Sequence, residues 1–230
     1  MGEHFCVYDA PAVAMAINMH ARVEVKDSST PGIRVTSRNL GIATRYPPAS
    51  SAEDAAAEPS NQTLTPVRLA AETAASSLGM RDLRLDVTVD SRIPVGVGLG
   101  SSAAVAVATL AATACFFGVN LTKQEIFKMA YASEGVVHGR PSGIDQAACT
   151  HGGVILYRMS AGARSVAAAK PLHLVVGNTG IIRSTGAVVG KLRRMYEEDE
   201  SRVAPVIAAG GSIAEEAARA IHEGNLEELG

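Results

Sequence analysis

The sequence predicts an α+β fold, with strands and helices mixed along the chain. Three observations carry that prediction. Leu83, Leu85, Val87 and Val89 alternate with charged or hydroxyl residues, the period-2 pattern of a half-buried strand. A glycine loop then leads into a long Ala- and Val-rich run, which reads as strand, loop and helix N-terminus. Thr122-Lys-Gln-Glu125 is a capping box opening a further helix to about Glu134.

The remaining elements follow from local signals. Phe5–Tyr8 and Ala12–Ile17 are short apolar stretches, and residues 21–25 alternate as a strand. Residues 27–32 form a turn, and residues 33–35 a short strand. Residues 44–62 are rich in Pro, Ala, Ser and acid and read as an exposed loop. Thr65-Pro66 suits a helix start, with Thr as N-cap and Pro in the first turn, and that helix stops at Gly79. Gly118 ends the Ala-rich helix. Residues 152–157 form a strand, residues 161–170 a weak linker and residues 172–176 a buried strand. Helices run from Arg183–Thr185 to about Glu197 and from Val203 to His222, and another starts at Asn225.

Composition narrows the function class. The chain has 230 residues and a net charge of −2, so nothing in it advertises nucleic acid or an acidic membrane surface. Its three cysteines, Cys6, Cys115 and Cys149, are scattered, with no CxxC pair and no metal-ligand spacing. They point to reduced thiols and a cytoplasmic protein. No basic segment followed by an apolar core marks a signal peptide. Residues 103–119 fall short of the roughly 20 strongly apolar residues of a span and suit a buried core helix.

The stretch Ile93 to Ala104 carries the chemistry. Gly96, Gly98 and Gly100 alternate, and Ser101 and Ser102 follow. Glycines let a backbone approach a ligand, and the free N–H groups and dipole of the helix favour an anion. The stretch lacks the Gly-Lys-Ser/Thr ending of a Walker A loop, and a dinucleotide fingerprint would need glycine where Ser101 stands. A glycine turn before a core helix is the plainer alternative. The loop has no lysine, so extra positive charge would come from Mg²⁺.

Asp145 is the candidate general base, since a phosphate-binding loop paired with a carboxylate suits proton abstraction from an attacking hydroxyl. Ser142-Gly-Ile-Asp145 also reads as a capping box. Glu134 reads as a surface acid alone, and as a metal ligand if it joins Asp145 and Ser102. Glu3 and His4 read as either surface or site. Ser184 and Thr185 read as a helix N-cap, with Arg183 beside them as a possible anion contact.

Taken together, these residues resemble the GHMP kinase superfamily. Pro94-x-Gly-x-Gly-Leu-Gly-Ser-Ser-Ala-Ala104 is similar to its ATP-binding motif. Gly2-Glu-His-Phe-Cys-Val-Tyr8 and Gly139-Arg-Pro-Ser-Gly-Ile-Asp145 narrow the resemblance to the mevalonate kinases, and His173 to Gly180 with Arg183-Ser-Thr185 fits the same pattern. The resemblance covers essentially the whole chain. It implies an N-terminal domain like ribosomal protein S5 domain 2 over residues 1–168. It also implies an incomplete ferredoxin-like C-terminal domain over residues 169–230, with ATP and substrate in the cleft between the two. It implies phosphorylation of the 5-hydroxyl of (R)-mevalonate by ATP, and a homodimer.

Site roles follow from the same resemblance. Asp145 would be the base, while Ser102 and Glu134 would bind Mg²⁺. Pro94, Gly96, Gly98, Leu99, Gly100, Ser101, Ser102 and Ala103 would hold the nucleotide. Glu3, His4, Asp145 and Thr185 would line the mevalonate side.

Three departures stand out. The family carries a lysine in a Pro-Gly-Lys strand just before Gly-Glu-His, and a third glycine-rich motif near its C-terminus. Neither is within these 230 residues, so the chain reads as cut at both ends, and weak or absent turnover is expected of it alone. Asp9 stands where the family usually has glycine. The alternatives are another GHMP kinase, acting on phosphomevalonate or homoserine, and a nucleotide-binding fragment without catalysis.

Overall fold

The structure is a computed structural model that describes residues 1–48, 59–138, 142–177, 180 and 185–229, with the side chains of 59–62, 135–138, 185 and 187 outside the description. The mixed α+β class is as expected. Contacts divide the chain into two units: Met1–Ile17 with Gly96–Leu99 and Arg140–Gly230, and Asn18–Val95 with Gly100–Gly139.

The second unit is built on a four-stranded sheet of β2 (Ala21–Asp27), β3 (Gly32–Ser37), β4 (Ile42–Tyr46) and β5 (Arg84–Ser91), in the order β2-β5-β3-β4. β5 runs parallel to β3, with Val35 opposite Val87, and antiparallel to β2. The alternation read in the sequence sets the buried face: Leu85, Val87 and Val89 point inward beside Ile33 and Val35. Each such side chain contributes about 1.5–3 kcal/mol when fully buried. Helices α1 (Pro59–Ser77), α2 (Ser101–Phe116) and α3 (Lys123–His138) complete the unit. Ala70, Ala74, Ala106, Leu110 and Ala130 form their shared core. The capping box holds as predicted: the Thr122 N–H donates to Glu125 Oε2 at 2.8 Å, and the Glu125 N–H donates back to Thr122 Oγ1 at 3.3 Å. Among the described residues no helix is long and apolar enough to cross a membrane.

The first unit has a three-stranded antiparallel sheet in the order β1-β6-β7, where β1 is Ala12–Met15, β6 is Val154–Arg158 and β7 is Gly162–Val166. Helices α4 (Ile144–His151), α5 (Thr185–Glu198), α6 (Glu200–Glu223) and the short α7 (Leu226–Leu229) belong to it. Val13, Val154 and Val166 pack on Ala214, Ala218 and Ile221 of α6. Asp199 caps α6 by accepting from the Arg202 N–H at 3.1 Å.

Several local expectations change. Of the loop expected over residues 44–62, residues 44–46 belong instead to β4, because Ile42, Thr44 and Tyr46 turn one face toward the core while Ala43 and Arg45 face out, and residues 49–58 lie outside the described residues. Helix α1 starts at Pro59, so the first-turn proline is Pro59 and Pro66 lies inside the helix. Burial of Leu64, Val67, Ala70 and Ala71 offsets the hydrogen bond an interior proline removes. Residues 162–166 pair with β6 instead of forming a linker, and only Val166 of the five is buried, which leaves no alternation to read. Residues 172–176 form no strand. Val175 is 101 % exposed, and Leu174 and Val176 are each 59 % exposed. An apolar run becomes a strand only against a partner edge, and no described strand pairs with this one.

Candidate active site

The glycine loop begins where β5 ends. Ile93 is buried and its N–H donates to Ser91 Oγ at 3.2 Å. Ser101 Oγ donates to the Ile93 carbonyl at 3.2 Å, tying the start of α2 to the end of the strand. Gly96, Gly98 and Gly100 all take positive φ, at 77°, 77° and 69°. At Gly98 a Cβ would meet nothing within 4 Å, so the left-handed backbone, not crowding, is what calls for glycine. Gly100 is the N-cap of α2, and no side chain caps the helix or places an acid in its first turn. The leading N–H groups of α2 are thus left for an anion. Pro94, Gly96, Gly98 and Ser102 are exposed, Leu99, Gly100 and Ser101 half-buried, and Ala103 buried. Glu134 lies half-buried on α3, which packs against α2 in the same unit.

The first unit brings together Glu3, His4, Cys6, Ser142, Asp145 and Cys149. Gly143 N-caps α4 with φ 80°, and no side chain caps the helix. The capping-box reading of Ser142 to Asp145 therefore fails: glycine, not serine, occupies the N-cap. The Asp145 side chain is solvent-exposed and makes no hydrogen bond to another described residue. It is nonetheless flanked by protein, and the loss of surrounding water raises its pKa above the ordinary aspartate value. Glu3 raises it further and His4 opposes the rise. Solvent on its open side screens these effects. His4 Nε2 lies 3.9 Å from Glu3 Oε1.

Two thiols border this carboxylate. Cys6 is fully buried and its Sγ donates to the Glu3 carbonyl at 2.9 Å. Burial raises its pKa, with Asp145 and Glu3 adding to the rise and a hydrogen bond with Ser142 opposing it. Cys149 is pushed up to about 12 by burial and by the Asp145 charge. Both shifts disfavour the thiolate, the nucleophilic form of a cysteine. Tyr157, buried on β6, donates its hydroxyl to the Ser142 carbonyl at 2.8 Å and anchors the approach to α4.

Of the residues singled out from sequence, Glu3, His4 and Asp145 meet in one unit. Pro94, Gly100, Ser101, Ser102, Ala103 and Glu134 belong to the other, while Gly96, Gly98 and Leu99 group with the first. Thr185 heads α5, but its side chain, Arg183, Ser184 and residues 139–141 lie outside the described residues. The sequence gives no site role to Cys6, Ser142 or Tyr157. Their only signal was proximity in sequence to Glu3, Asp145 and a strand.

The GHMP kinases N terminal domain matches residues 65–153. Mevalonate kinase of Thermococcus sibiricus is 35 % identical over 96 % of this chain and 66 % of its own length. Mevalonate kinase of Archaeoglobus fulgidus is 34 % identical over 99 % of this chain and 72 % of its own length. The crystal structure of L. major mevalonate kinase in complex with R-mevalonate superposes with a TM-score of 0.77 at 29 % identity, covering 100 % of this chain and 68 % of that one. The chain spans 64 to 66 % of the length of three curated relatives it matches. That combination of identity, coverage and shared fold places this chain in the mevalonate kinase family of the GHMP kinases.

Proposed function

We propose that this chain belongs to an enzyme that transfers the γ-phosphoryl group of ATP to the 5-hydroxyl of (R)-mevalonate. The observation that carries the reading is Asp145: an uncapped carboxylate of raised pKa beside Glu3 and His4, in a chain of this family. As the oxygen–phosphorus bond to O5 forms and the bond to the β,γ-bridging oxygen breaks, Asp145 accepts the O5 proton and ADP leaves. A raised pKa brings the base nearer the working pH than an ordinary aspartate.

The backbone of Gly96 to Ser101 and the N-terminus of α2, with Pro94, Leu99 and Ala103 shaping it, would wrap the triphosphate. Glu3, His4 and Thr185 would orient mevalonate. Ser102 and Glu134 are hard oxygen donors and fit Mg²⁺, which favours one or two carboxylates plus substrate phosphates over a protein cage. When bound, the ion would neutralise charge on the β- and γ-phosphates. In family terms we assign residues 1–168 to the ATP-binding domain and 169–230 to part of the C-terminal domain. We also assign the protein to the cytoplasm, as a homodimer, a state that sedimentation would read.

The test is ADP release with a substrate panel of mevalonate, phosphomevalonate and homoserine. Turnover with mevalonate by the whole protein to which this chain belongs, lost in Asp145→Asn with ATP binding kept, is expected. Transfer to another acceptor but not to mevalonate would overturn the reading, as would full activity of Asp145→Asn.

A further inference from the structure

The residues before β1 form a closed loop. Met1 and Val13 exchange both backbone hydrogen bonds, at 2.8 and 2.9 Å. Inside that closure the Phe5 and Cys6 N–H groups both donate to the Gly2 carbonyl, and a 3₁₀ turn runs from Cys6 to Tyr8. The Cys6 thiol holds the Glu3 carbonyl from within. Glu3 and His4 thus sit on a turn whose shape decides where they point.

The loop ends on Asp9, at φ 62° and ψ 16°. Among the described residues it is the single non-glycine residue at positive φ. A left-handed aspartate is tolerated but still strained relative to glycine. Its side chain has a compensating task. The carboxylate accepts from the Ser160 N–H at 2.8 Å and from Ser160 Oγ at 2.7 Å, across 151 residues. These bonds, with Arg158 nearby, hold its pKa below the ordinary value, so the acceptor is charged and the bonds are of the stronger, charge-assisted kind. Ser160 lies between β6 and β7. One end of that hairpin thus holds Asp9, while Tyr157 on β6 anchors Ser142 just before α4. The same strand therefore fixes both the turn bearing Glu3 and His4 and the helix bearing Asp145.

We propose that Asp9 is a positioning residue: clamped to Ser160, it sets the Gly2–Tyr8 turn so that Glu3 and His4 face the phosphoryl acceptor. The inference rests on the mevalonate-phosphorylating reading given above. Asp9→Gly separates the clamp from the backbone. Glycine suits φ 62° better than aspartate, so a purely conformational role predicts a neutral or stabilised variant. A clamp predicts loss.

Asp9→Gly, Ser160→Ala and Asp9→Asn are made in the whole protein and read in two ways. The first is amide exchange of residues 2–8 by mass spectrometry. The second is KM for mevalonate against KM for ATP. Asp9→Gly and Ser160→Ala are expected to speed exchange and to raise KM for mevalonate about tenfold, with KM for ATP within about twofold, since small misplacements of positioning groups cost up to about 100-fold. Asp9→Asn tolerates the left-handed backbone and keeps one acceptor, so it restores most of the loss. Unchanged exchange in both variants overturns the clamp whatever the substrate. Faster exchange with an unchanged mevalonate KM, or equal rises in both KM values, overturns the positioning role. A wild-type protein that turns over no mevalonate refutes the activity reading, and the exchange result still decides the clamp.

Discussion

Replacing Gly210 by alanine puts a methyl carbon 2.5 Å from both Cδ2 and Cε2 of the Phe5 ring. Gly210 lies in the middle of α6, where alanine would ordinarily be worth about 1 kcal/mol over glycine. Here that gain meets overpacking, which costs about 1–3 kcal/mol when a core cannot yield. Phe5 yields poorly, because the turn that carries it is closed at Met1 and Val13. The net expectation is a loss of up to about 2 kcal/mol, or several degrees in Tm at about 2–4 °C per kcal/mol for a chain of this size. Gly190→Ala in α5 is the matched control. Its Cβ would meet only Arg194 Nη1, at 3.9 Å, so it should stabilise by about 0.5–1 kcal/mol. Urea and thermal unfolding followed at 222 nm compare the two. If Gly210→Ala stabilises as much as Gly190→Ala, the seat of Phe5 on α6 is not the reason glycine stands there. Restoring room with Phe5→Leu should recover most of the loss, as a coupled pair requires.

Asp145→Asn should lower kcat by about 10²–10⁴ while nucleotide affinity, read by calorimetry, holds. Because the folded-state pKa of Asp145 is raised, the folded protein holds the proton more tightly than the unfolded chain. Stability attributable to this group is therefore greatest below the ordinary aspartate pKa and declines as pH rises through the raised value. Asp145→Asn should remove that slope and melt higher than the parent at pH 7; a lower Tm there would refute the sign. In the parent, kcat/KM should fall on acidification at a pH above the ordinary aspartate range, as a rate–pH profile would read. Thr122→Ala should cost about 1 kcal/mol in urea unfolding, through the lost cap of α3. Ser101→Ala frees the Ile93 carbonyl, and should cost about 0.5–1.5 kcal/mol and weaken ATP binding; unchanged affinity would mean that the tie does not shape the loop.

How legible each element was depended on the range of its determinants. β5 was legible because Leu85, Val87 and Val89 alternate against a single core face. The start of α3 was legible because Thr122 and Glu125 complete their bonds with each other. β4 carried the same alternation at Ile42, Thr44 and Tyr46, but the Pro- and Ala-rich residues after it hid the signal. The apolar run at 172–176 misled because strand propensity has no meaning without a ladder partner. In the site, the residue types at Gly96 to Ser102, Asp145 and Glu3–His4 were readable from motif chemistry. What raises the Asp145 pKa was not, since it is burial by the folded chain together with Glu3, which reaches it from some 140 residues away in sequence. Asp9 was visible only as a departure from the family's glycine. Its meaning needed the left-handed φ and the distant Ser160.

The β1–β6 pairing also sets a schedule. Val13 lies opposite Leu156, so the strand leaves the ribosome roughly 140 residues before its partner does. At about 5–20 residues per second, that is on the order of 10 s or more of synthesis. Through that interval the turn with Glu3 and His4 has neither its sheet neighbour nor the α6 surface that receives Phe5 and Pro11. The second unit, by contrast, is contiguous except for four residues and can form as it emerges. Nascent chains halted after residue 139 should then already protect β5 from proteolysis while still exposing residues 1–17, and protection of those first residues should arrive only once α6 has cleared the exit tunnel.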